Sequence, residues 1–371
     1  MRVLMISKAC VVGTYQRKLE ELVRYPALEL WLVVPPYWRD GRRVLPLERA
    51  HTSGYELRVL PILLNGNFHL HVYRGLAQLL AEVCPDIVHI DEEPYNLATF
   101  QAMWLANRHA AKRLFFTWQN LLRRYPFPFS LFERYNLTHT NCAIAGNREA
   151  GEVLRAKGYS GPLHFLPQFG VDPDVYRRTS PAGRPRDRFV IGYLGRLVEE
   201  KGIQVLLRAV AKLEGHWTLR LVGHGPYGAA LRELSEELGI QDRVLFEPWA
   251  ASAQMPDILN KLDVLVLPSL TRSNWKEQFG RVLVEAMACE VPVVGSSSGE
   301  IPNVIGDAGL VFPEGDAQQL QQMFFTLMSD KNLRLELGQR GRARVLDCYT
   351  QERIAAHTHA IYLELLGQSG T

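Results

Sequence analysis

Two glutamates stand eight positions apart in the stretch TRSNWKEQFGRVLVEAMACEVPVVGSSSGEIPNVI, residues 271 to 305. Glu277 lies in a loop that follows the strand-like run DVLVL, and Glu285 lies about one and a half turns into the helix-forming run RVLVEAMA. This placement does not favour an acid/base pair acting on one bond. The two carboxylates could instead reach opposite ends of one extended ligand. Two solvated surface charges are the alternative that the spacing alone leaves open.

The helix that carries Glu285 is predicted to begin near Gly280. The first backbone N–H groups of a helix have no partner inside it, and they attract negative charge. We therefore expect the amides of Phe279, Gly280 and Arg281 to hold phosphate or sugar oxygens.

A second motif, GRLVEEKG, follows the strand-like run RFVIGYLG and precedes the helical run IQVLLRAVAKL. Gly195 and Gly202 bracket Arg196 and Lys201, which places two cations at a glycine turn between a strand and a helix. This combination is typical of a diphosphate site. The motif is neither a Walker loop nor a G-x-G-x-x-G fingerprint, and an exposed basic turn is the alternative.

A third motif, VGHGP, ends the next strand-like run. Gly223 and Gly225 could let a ligand approach the backbone, or they could serve only the turn.

The string E-Q-F-G-R-V-L-V-E-A-M-A-C-E-V-P-V-V-G-S-S-S-G-E-I-P resembles the donor-site signature of retaining glycosyltransferases of family 4, which have the GT-B fold. The segment FGVDPDVY, residues 169 to 176, resembles the G-V-D-x-x-x-F segment of that family. The likeness covers essentially the whole chain and is strongest from residue 190 to residue 315.

The resemblance implies a role for each matching residue. Glu277 would contact hydroxyls of the donor sugar, Glu285 would bind the ribose, and Arg196 and Lys201 would bind the diphosphate. Catalysis is thus expected of Glu277, Arg196 and Lys201. The further residues expected to bind the donor are Gly13, in the loop after the first strand, and Gly195, Gly223, Gly225, Gln278, Phe279, Gly280, Leu283 and Glu285.

The chain departs from the family in two places. Many members have a histidine in a T-x-H pattern at the end of an N-terminal strand, whereas this chain has FFTWQN with Gln119 at that position. A glutamine can hydrogen-bond a sugar hydroxyl but cannot shuttle a proton. The first loop has the single Gly13 where the family often has two glycines.

Two N-terminal segments are candidates for binding the acceptor. HIDEEPYN places Asp91, Glu92 and Glu93 at a strand end, where they could bind acceptor hydroxyls or begin a charged helix. LLRRYPFPFSLFERY, residues 121 to 135, mixes three arginines with five aromatic residues, which suits a membrane surface or lipid acceptor and equally a packed loop. The residues expected on the acceptor side are Glu92, Gln119 and Asn120.

Short apolar runs alternate with amphipathic segments in both halves of the chain, which predicts α/β architecture with parallel sheets. We expect two Rossmann-like, doubly wound domains that face a central cleft, the GT-B arrangement. Residues 1–172 would bind the acceptor, 173–187 would form a linker, and 188–351 would bind the nucleotide sugar. A C-terminal helix, about 352–367, is expected to pack back on the first domain.

The composition of the 371-residue chain, 47% hydrophobic and 22% charged, is that of a globular protein of about two domains. Residues 1–187 contain 24 Lys+Arg and 17 Asp+Glu, a balance of +7, and residues 188–371 contain 18 and 22, a balance of −4. The basic half could meet an anionic membrane or substrate, although a solvated surface explains it as well.

No apolar run is long enough to span a membrane, and the first residues do not fit a signal peptide. We therefore expect a cytoplasmic protein, which the basic half could bring to the inner face of the membrane. The five cysteines form no metal-binding spacing, and neither a metal nor another cofactor is expected. Nucleic acid is not an expected partner.

These observations favour a glycosyltransferase that uses a nucleotide-diphosphate sugar, with UDP or GDP as the nucleotide, and a hydroxyl acceptor. The resemblance implies that transfer retains the configuration of the anomeric carbon. The acceptor could be a glycan, a lipid-linked molecule or a small molecule. A sugar-nucleotide epimerase or hydrolase of the same fold, and a non-catalytic partner subunit, are the alternatives. The presence of Arg196, Lys201, Glu277 and Glu285 together argues against the subunit, because no structural need requires all four.

Overall fold

A computed structural model of the chain describes residues 1–41, 43–179, 188–249 and 254–368. The chain forms two compact units. The first comprises Met1–Gly170 and Gln351–Thr371, and the second comprises Val171–Thr350.

The first unit is built on a parallel sheet whose short strands are buried on both faces, as in β8, where all four residues are buried. The strands described in this unit are β1 (Arg2–Ile6), β2 (Glu29–Val34), β3 (Tyr37–Asp40), β4 (Arg43–Pro46), β5 (Glu56–Val59), β6 (Ile62–Leu63), β7 (Val72–Tyr73), β8 (Ile87–Ile90), β9 (Lys112–Thr117), β10 (Cys142–Ala145) and β11 (Leu163–Phe165). Its first helices are α1 (Arg17–Leu22), α2 (Leu76–Val83), α3 (Leu97–Arg108), α4 (Phe129–His139) and α5 (Arg148–Ala156). Short 3₁₀ helices cover Lys8–Val11 and Gly13–Gln16.

The strand order in the first sheet is β11-β10-β9-β8-β1-β2-β5. Successive strands run outward from β1 on one side and from β8 on the other, so the order reverses between β1 and β8. β3 pairs with β4, and β6 pairs with β7, in two small antiparallel sheets that the sequence did not predict.

The second unit has the same plan. Its strands are β12 (Phe189–Leu194), β13 (Trp217–Val222), β14 (Val244–Glu247), β15 (Val264–Leu267), β16 (Val293–Ser296) and β17 (Leu310–Phe312). Its helices are α6 (Ile203–Ala211), α7 (Gly228–Glu237), α8 (Met255–Leu259), α9 (Arg281–Ala288), α10 (Ile301–Ile305), α11 (Ala317–Ser329) and α12 (Lys331–Cys348), with 3₁₀ turns at Glu199–Lys201 and Gln241–Arg243. The helices α11 and α12 begin at Asp316 and Asp330, whose carboxylates accept the first free amides.

The strand order in the second sheet is β14-β13-β12-β15-β16-β17, and all pairs are parallel. The order reverses between β12 and β15. In doubly wound sheets, ligands bind beyond the carboxyl ends of the strands at such a reversal, which is called the switch point. The predicted fold class, α/β with two Rossmann-like parallel sheets, is confirmed.

The C-terminal helix α13 (Gln351–Leu365) belongs to the first unit and lies against α1. Its apolar face is buried in the core of that unit, and the Tyr362 hydroxyl lies 2.7 Å from Nδ1 of His89 in β8. Helical spacing of Ile354, Ile361 and Tyr362 thus places one stripe of side chains on the sheet.

The segment predicted as a linker is packed in its first half. Tyr176 is buried in the core of the second unit, and the Arg342 guanidinium donates to the carbonyl oxygens of Pro173 and Tyr176 at 3.0 and 2.6 Å. An aromatic ring at residue 176 outweighs the turn-rich composition around it. The rest of the predicted linker, residues 180–187, lies outside the described residues.

Among the residues given above as described, no helix combines the length and the apolar character that crossing a bilayer requires.

Candidate active site

A lysine–glutamate pair lies at the switch point of the second unit. Lys201 ends the turn after β12, and Glu277 lies in the loop after β15, so the two neighbouring strands deliver them to one edge of the sheet. Nζ of Lys201 is 2.6 Å from Oε2 of Glu277, and the two side chains are 16% and 9% exposed. The pair joins two sequence motifs 76 residues apart. Sequence reasoning missed this contact, although the strand order that predicts it follows from the doubly wound pattern.

The Glu277 carboxylate is held from a second side. The Ser269 hydroxyl, which follows β15, donates to the same Oε2 at 2.8 Å. The ring of Trp275 lies 5.0 Å from Nζ of Lys201, within range of a cation–π contact. The carboxylate is therefore fixed in position by an ammonium and a hydroxyl at the edge of the sheet.

Two glycines allow the loops of this site to touch through their backbones. Gly202 has φ +68°, and a Cβ there would lie 1.9 Å from the carbonyl oxygen of Pro268. Gly299 has φ +54°, and a Cβ there would lie 2.0 Å from the carbonyl oxygen of Glu277. Any side chain at either residue would therefore push the loop of Glu277 away.

The glycines at the ends of β12 and β13 have the same purpose. A Cβ at Gly223 would lie 1.9 Å from the carbonyl oxygen of Gly195, and one at Gly225 would lie 2.2 Å from that of Leu197. The amide of Gly223 donates to Glu247 at 2.9 Å. The close packing of the two loops is therefore sufficient to explain why residues 223 and 225 are glycines.

The second glutamate of the opening motif, Glu285, lies in α9 and has different partners. Nε of Arg281 is 2.9 Å from its Oε1, and the Tyr176 hydroxyl hydrogen-bonds the same carboxyl group. Burial raises the pKa of Glu285 above its usual value, and Arg281 opposes the rise only in part. Glu277 and Glu285 therefore sit in separate polar environments, as expected of carboxylates that do not act on one bond.

The helix α9 begins at Arg281 with Gly280 as its N-cap at φ +79°. The amides of the first turn are consequently those of Arg281, Val282 and Leu283, later than the predicted set of Phe279, Gly280 and Arg281. The Leu283 amide already donates to the Gly280 carbonyl at 2.8 Å.

The remaining predicted residues of this unit are spread out. Gln278 is exposed, whereas the ring of Phe279 packs edge-on against Tyr349 with 5.7 Å between centroids. Leu283 is completely buried, and its assignment to donor binding stays a prediction. The Arg196 side chain is 66% exposed, and its guanidinium lies 4.0 Å from the Glu200 carboxylate.

The first unit also has a lysine–glutamate pair at its switch point. Lys8 follows β1 and Glu92 follows β8, and their side chains form an ion pair in which Glu92 has no exposed surface. Nε2 of His71 lies 3.7 Å from Glu92. Burial disfavours the charged carboxyl group, but Lys8 and His71 outweigh it and lower the pKa of Glu92 to about 2.

The assignment of Glu92 to the acceptor side stays a prediction. Its carboxylate has no exposed surface and is paired with Lys8. Its neighbour Asp91 is engaged as well, because the Ser7 hydroxyl donates to its Oδ2 at 2.7 Å. Both carboxylates thus join residues that follow β1 to residues that follow β8.

Glu93 differs from its two neighbours. Its carboxyl group accepts the Thr117 hydroxyl at 2.6 Å and the Trp118 amide at 2.8 Å. Burial nevertheless raises the pKa of Glu93 to about 7. Sequence reasoning placed Glu93 at the strand end but could not foresee this shift, because it depends on how β8 and β9 enclose the side chain.

Gln119 and Asn120 follow β9 and are largely buried. Nζ of Lys157 donates a hydrogen bond to Oε1 of Gln119 at 3.2 Å. Nδ2 of Asn120 donates a hydrogen bond to the Glu149 carboxylate at 3.3 Å. The position where the family often has a histidine is thus in contact with a lysine.

Gly13 is buried, and its amide donates to Oε2 of Glu48 at 2.7 Å. A Cβ at this residue would lie 2.7 Å from that of Ala50. The backbone group expected to approach donor and acceptor is therefore occupied by a carboxylate of the same unit, because the segment around Glu48 folds over the first loop.

Metal ligands are not gathered in the part of the chain that the structure describes: it contains no group of three His, Cys, Asp or Glu side chains able to hold an ion. The string Asp172-Pro173-Asp174 has the spacing of two carboxylates that could share a cation. Oδ1 of Asp172 accepts the Asp174 amide at 2.9 Å, so these two residues form a turn.

Comparison with known proteins adds to this geometry. The family described as glycosyl transferases group 1 matches residues 178–344. The lipopolysaccharide core biosynthesis glycosyltransferase LpsE of Rhizobium meliloti is 30% identical over 246 residues, which cover 65% of this chain and 67% of LpsE. The chain belongs to the glycosyl transferases group 1.

Other curated proteins match over shorter stretches. The N-acetyl-alpha-D-glucosaminyl L-malate synthase of Bacillus anthracis is 35% identical over 170 residues, 45% of this chain and 43% of the synthase. The chain thus matches less than two thirds of the length of several curated relatives, including this one. Among solved structures, Anabaena HepE in complex with UDP has a TM-score of 0.76 at 18% identity and covers 98% of this chain and 100% of HepE. That likeness supports the GT-B fold.

Proposed function

We propose that this chain transfers a sugar from a nucleotide-diphosphate sugar to an acceptor hydroxyl, with retention of configuration at the anomeric carbon. The second unit would bind the donor, and the first would bind the acceptor. The observation that carries the proposal is the Lys201–Glu277 pair at the switch point of the second unit.

The fixed carboxylate suits Glu277 to orient the donor sugar. Its Oε2 is committed to Lys201 and Ser269, which holds the group in one orientation at the sheet edge. A carboxylate accepts hydrogen bonds through both oxygens, so it can bind two sugar hydroxyls or steady a cationic sugar ring. We assign it positioning of the sugar rather than nucleophilic attack.

The departing diphosphate needs positive charge beside it. Arg196 supplies that charge, because its guanidinium is exposed and only distantly approached by Glu200. The Lys201 ammonium group is paired with the Glu277 carboxylate. We assign it a position between the carboxylate that would bind the sugar and the phosphates of the donor. The first turn of α9 adds backbone donors. Preorganised donors at developing negative charge are among the strongest catalytic devices.

Because these groups can stabilise the leaving group, we also propose that transfer needs no metal ion. Activity that survives EDTA at the level of the untreated protein is the expected result. A loss restored only by a divalent cation would contradict it.

Glu285 is assigned to the ribose of the donor. Its carboxyl group is now engaged by Arg281 and Tyr176, both within the second unit. A ribose diol can replace these donors, because a diol presents two adjacent O–H groups to one carboxylate. The relatives support this direction: HepE was solved with UDP bound, and LpsE is named a glycosyltransferase.

Two other functions use the same donor site. An epimerase or hydrolase would release nucleotide without an added acceptor, whereas a transferase releases it in proportion to acceptor. A non-catalytic subunit would bind nucleotide sugar and release none. The Lys201–Glu277 pair favours chemistry, because the Glu277 side chain keeps 9% of its surface exposed, whereas the Glu92 side chain of the other pair has none.

The test is Glu277→Ala, assayed with a nucleotide sugar chosen by thermal shift, because a ligand of the folded state raises Tm. We expect transfer to fall by about 10²–10³-fold while nucleotide binding persists. Glu237→Ala, at an exposed glutamate of α7 in the same unit, is the matched control and should transfer like the parent. Turnover by Glu277→Ala at the parental rate would reject the assignment.

A further inference from the structure

The first unit contains a surface cavity of about 850 Å³ that the proposed function does not yet use. It lies between residues 122–125, the helix α4 and the turn after α5. The sequence there, LLRRYPFPFSLFERY, left a membrane contact and a packed loop as alternatives.

The lining of the cavity is strongly basic. Arg123, Arg124, Arg134 and Lys157 face a single carboxylate, Glu133, which gives 4 − 1 = +3 charges. Glu133 is paired with Lys157, so its charge is already neutralised within the wall.

Two of the cations have no carboxylate to balance them. Arg124 and Arg134 are exposed, and no ion pair joins either guanidinium to another residue within the described part of the chain. Arginine presents a planar fork of N–H donors that fits the oxygens of a phosphate. Two arginines on one concave surface are therefore suited to a phosphate group of a ligand.

The inner wall of the cavity connects to the acceptor side of the proposed reaction. Nζ of Lys157 donates to Gln119 at 3.2 Å and lies 4.9 Å from the centroid of the Tyr125 ring. Tyr125 stacks on Tyr95 with 4.3 Å between centroids. Lys157 thus joins the wall of the cavity to Gln119, the residue at the histidine position of the family.

Large apolar side chains accompany the cations. Leu122, Phe127 and Leu131 are 63%, 80% and 51% exposed, which is unusual for three such residues in one short segment. Exposed apolar groups next to arginines favour a ligand that carries both a phosphate and an apolar portion.

We propose that this cavity binds a phosphate group of the acceptor. This proposal rests on the proposed function only in identifying the ligand as the acceptor. The phosphate-binding site itself is defined by the four cations. The phosphate could belong to a lipid headgroup or to a soluble phosphate ester, and the experiment separates these two sources.

The experiment compares the double variant Arg124→Ala/Arg134→Ala with Arg43→Ala/Arg74→Ala, which removes the same charge from exposed arginines elsewhere in the first unit. Both are made in an Arg196→Ala background, so that the proposed diphosphate site contributes little. The probes are inorganic pyrophosphate, measured by calorimetry, and phosphatidylcholine vesicles with or without phosphatidylglycerol, measured by sedimentation. All four arginines are exposed, so unchanged thermal melts are expected.

We expect the cavity variant to bind pyrophosphate about tenfold or more weakly than the control, because it lacks two guanidinium groups that can donate to phosphate oxygens. If it also loses binding to phosphatidylglycerol vesicles that the control retains, and Phe127→Ser loses it too, the ligand is a lipid. If pyrophosphate binding falls but no vesicles bind any variant, the ligand is soluble. Both results support the site.

Equal binding of pyrophosphate and vesicles by the cavity variant and the control would overturn the inference. That failure would leave the donor site intact, since it involves no residue of the second unit other than the shared Arg196→Ala background. Conversely, normal transfer by Glu277→Ala would reject the proposed function, and phosphate binding by the cavity could still be measured.

Discussion

Both units place a lysine and a glutamate at the switch point of a parallel sheet, but the surroundings of the two pairs differ. Lys8 and Glu92 lie among bulky side chains, with Nζ of Lys8 4.3 Å from the centroid of the Phe68 ring. Lys201 and Glu277 lie among loops whose backbones approach one another through Gly202 and Gly299. At the strand ends of the first unit, the aromatic side chain of Phe68 packs against the pair. At those of the second unit, loop backbones pack closely against each other at Gly202 and Gly299.

We propose that the position serves ligand binding in the second unit, where the carboxylate is less enclosed. The Glu92 side chain has no exposed surface, and its charge is balanced within the fold by Lys8. Around Glu277, glycines bring backbone groups to the sheet edge, where a diphosphate can be bound by N–H groups and one arginine. Identical chemistry at equivalent topological positions therefore need not indicate two equivalent sites.

The largest expected effect is on catalysis in the second unit. Lys201→Met should lower kcat by about 10²–10³-fold, because the Glu277 carboxylate loses its ammonium partner and the leaving group loses nearby charge. Steady-state kinetics measure this, with Lys212→Met, at an exposed residue of the same unit, as the control. If Lys201→Met has the same kinetics as Lys212→Met, the Lys201–Glu277 pair has no role in catalysis.

The corresponding change in the first unit should act on stability. Lys8→Met should reduce the free energy of unfolding by about 3 kcal/mol at neutral pH, since it leaves Glu92 buried without its partner. The folded-state pKa of Glu92 is lowered from 4.5 to about 2, so the stabilisation is present above pH 4.5 and is lost as the pH falls toward 2. Denaturant melts at several pH values should show the loss shrinking in that range. A constant loss would contradict the ion-pair explanation.

The role of close backbone packing can be tested at two glycines with positive φ. At Gly315, φ is +80° and the space around a Cβ is open, so Gly315→Ala should cost about 1 kcal/mol of unfolding free energy from backbone strain alone. At Gly299, a Cβ would meet the Glu277 carbonyl at 2.0 Å, so Gly299→Ala should cost about 2–3 kcal/mol and also lower kcat. Equal effects of the two variants on stability and kcat would show that the glycines do not position Glu277.

An effect of opposite sign, a gain in stability, should come from Glu93, which belongs to neither lysine–glutamate pair. Its folded-state pKa is raised from 4.5 to about 7, so the stabilising protonated form prevails below pH 4.5 and is lost as the pH rises through 7. Glu93→Gln should therefore gain stability relative to the parent between pH 5 and 8, by about 2 kcal/mol. Thermal melts across this range measure the gain. A gain that grows on acidification would have the wrong sign.

The regular alternation of apolar runs made the fold predictable, since each run predicted in either half contains a strand of the two parallel sheets. The small antiparallel strands β3 and β4 were not predicted, because the run YWRD is short and half exposed and lacks a clear apolar pattern. The C-terminal helix was predicted within two residues at each end.

The candidate site was predictable as a set of motifs but not as a set of contacts. Composition at strand ends pointed to Lys201 and Glu277, yet their pairing depends on β12 and β15 being neighbours. The burial of Leu283 and Glu92 was not predicted, because sequence cannot show which side of a strand end or helix is enclosed. The partners of Gly13 and Gln119, namely Glu48 and Lys157, come from distant segments.

The central claim is that Glu285 and Glu277 serve different ends of one nucleotide sugar. Calorimetric titration of the parent, Glu277→Ala and Glu285→Ala with nucleoside diphosphates tests it most directly. We expect one nucleoside diphosphate to bind the parent and Glu277→Ala with similar Kd, and to bind Glu285→Ala at least about tenfold more weakly, since a hydrogen bond to a charged group contributes about 1.5–3 kcal/mol. Weaker binding to Glu277→Ala with no change in Glu285→Ala would contradict the account.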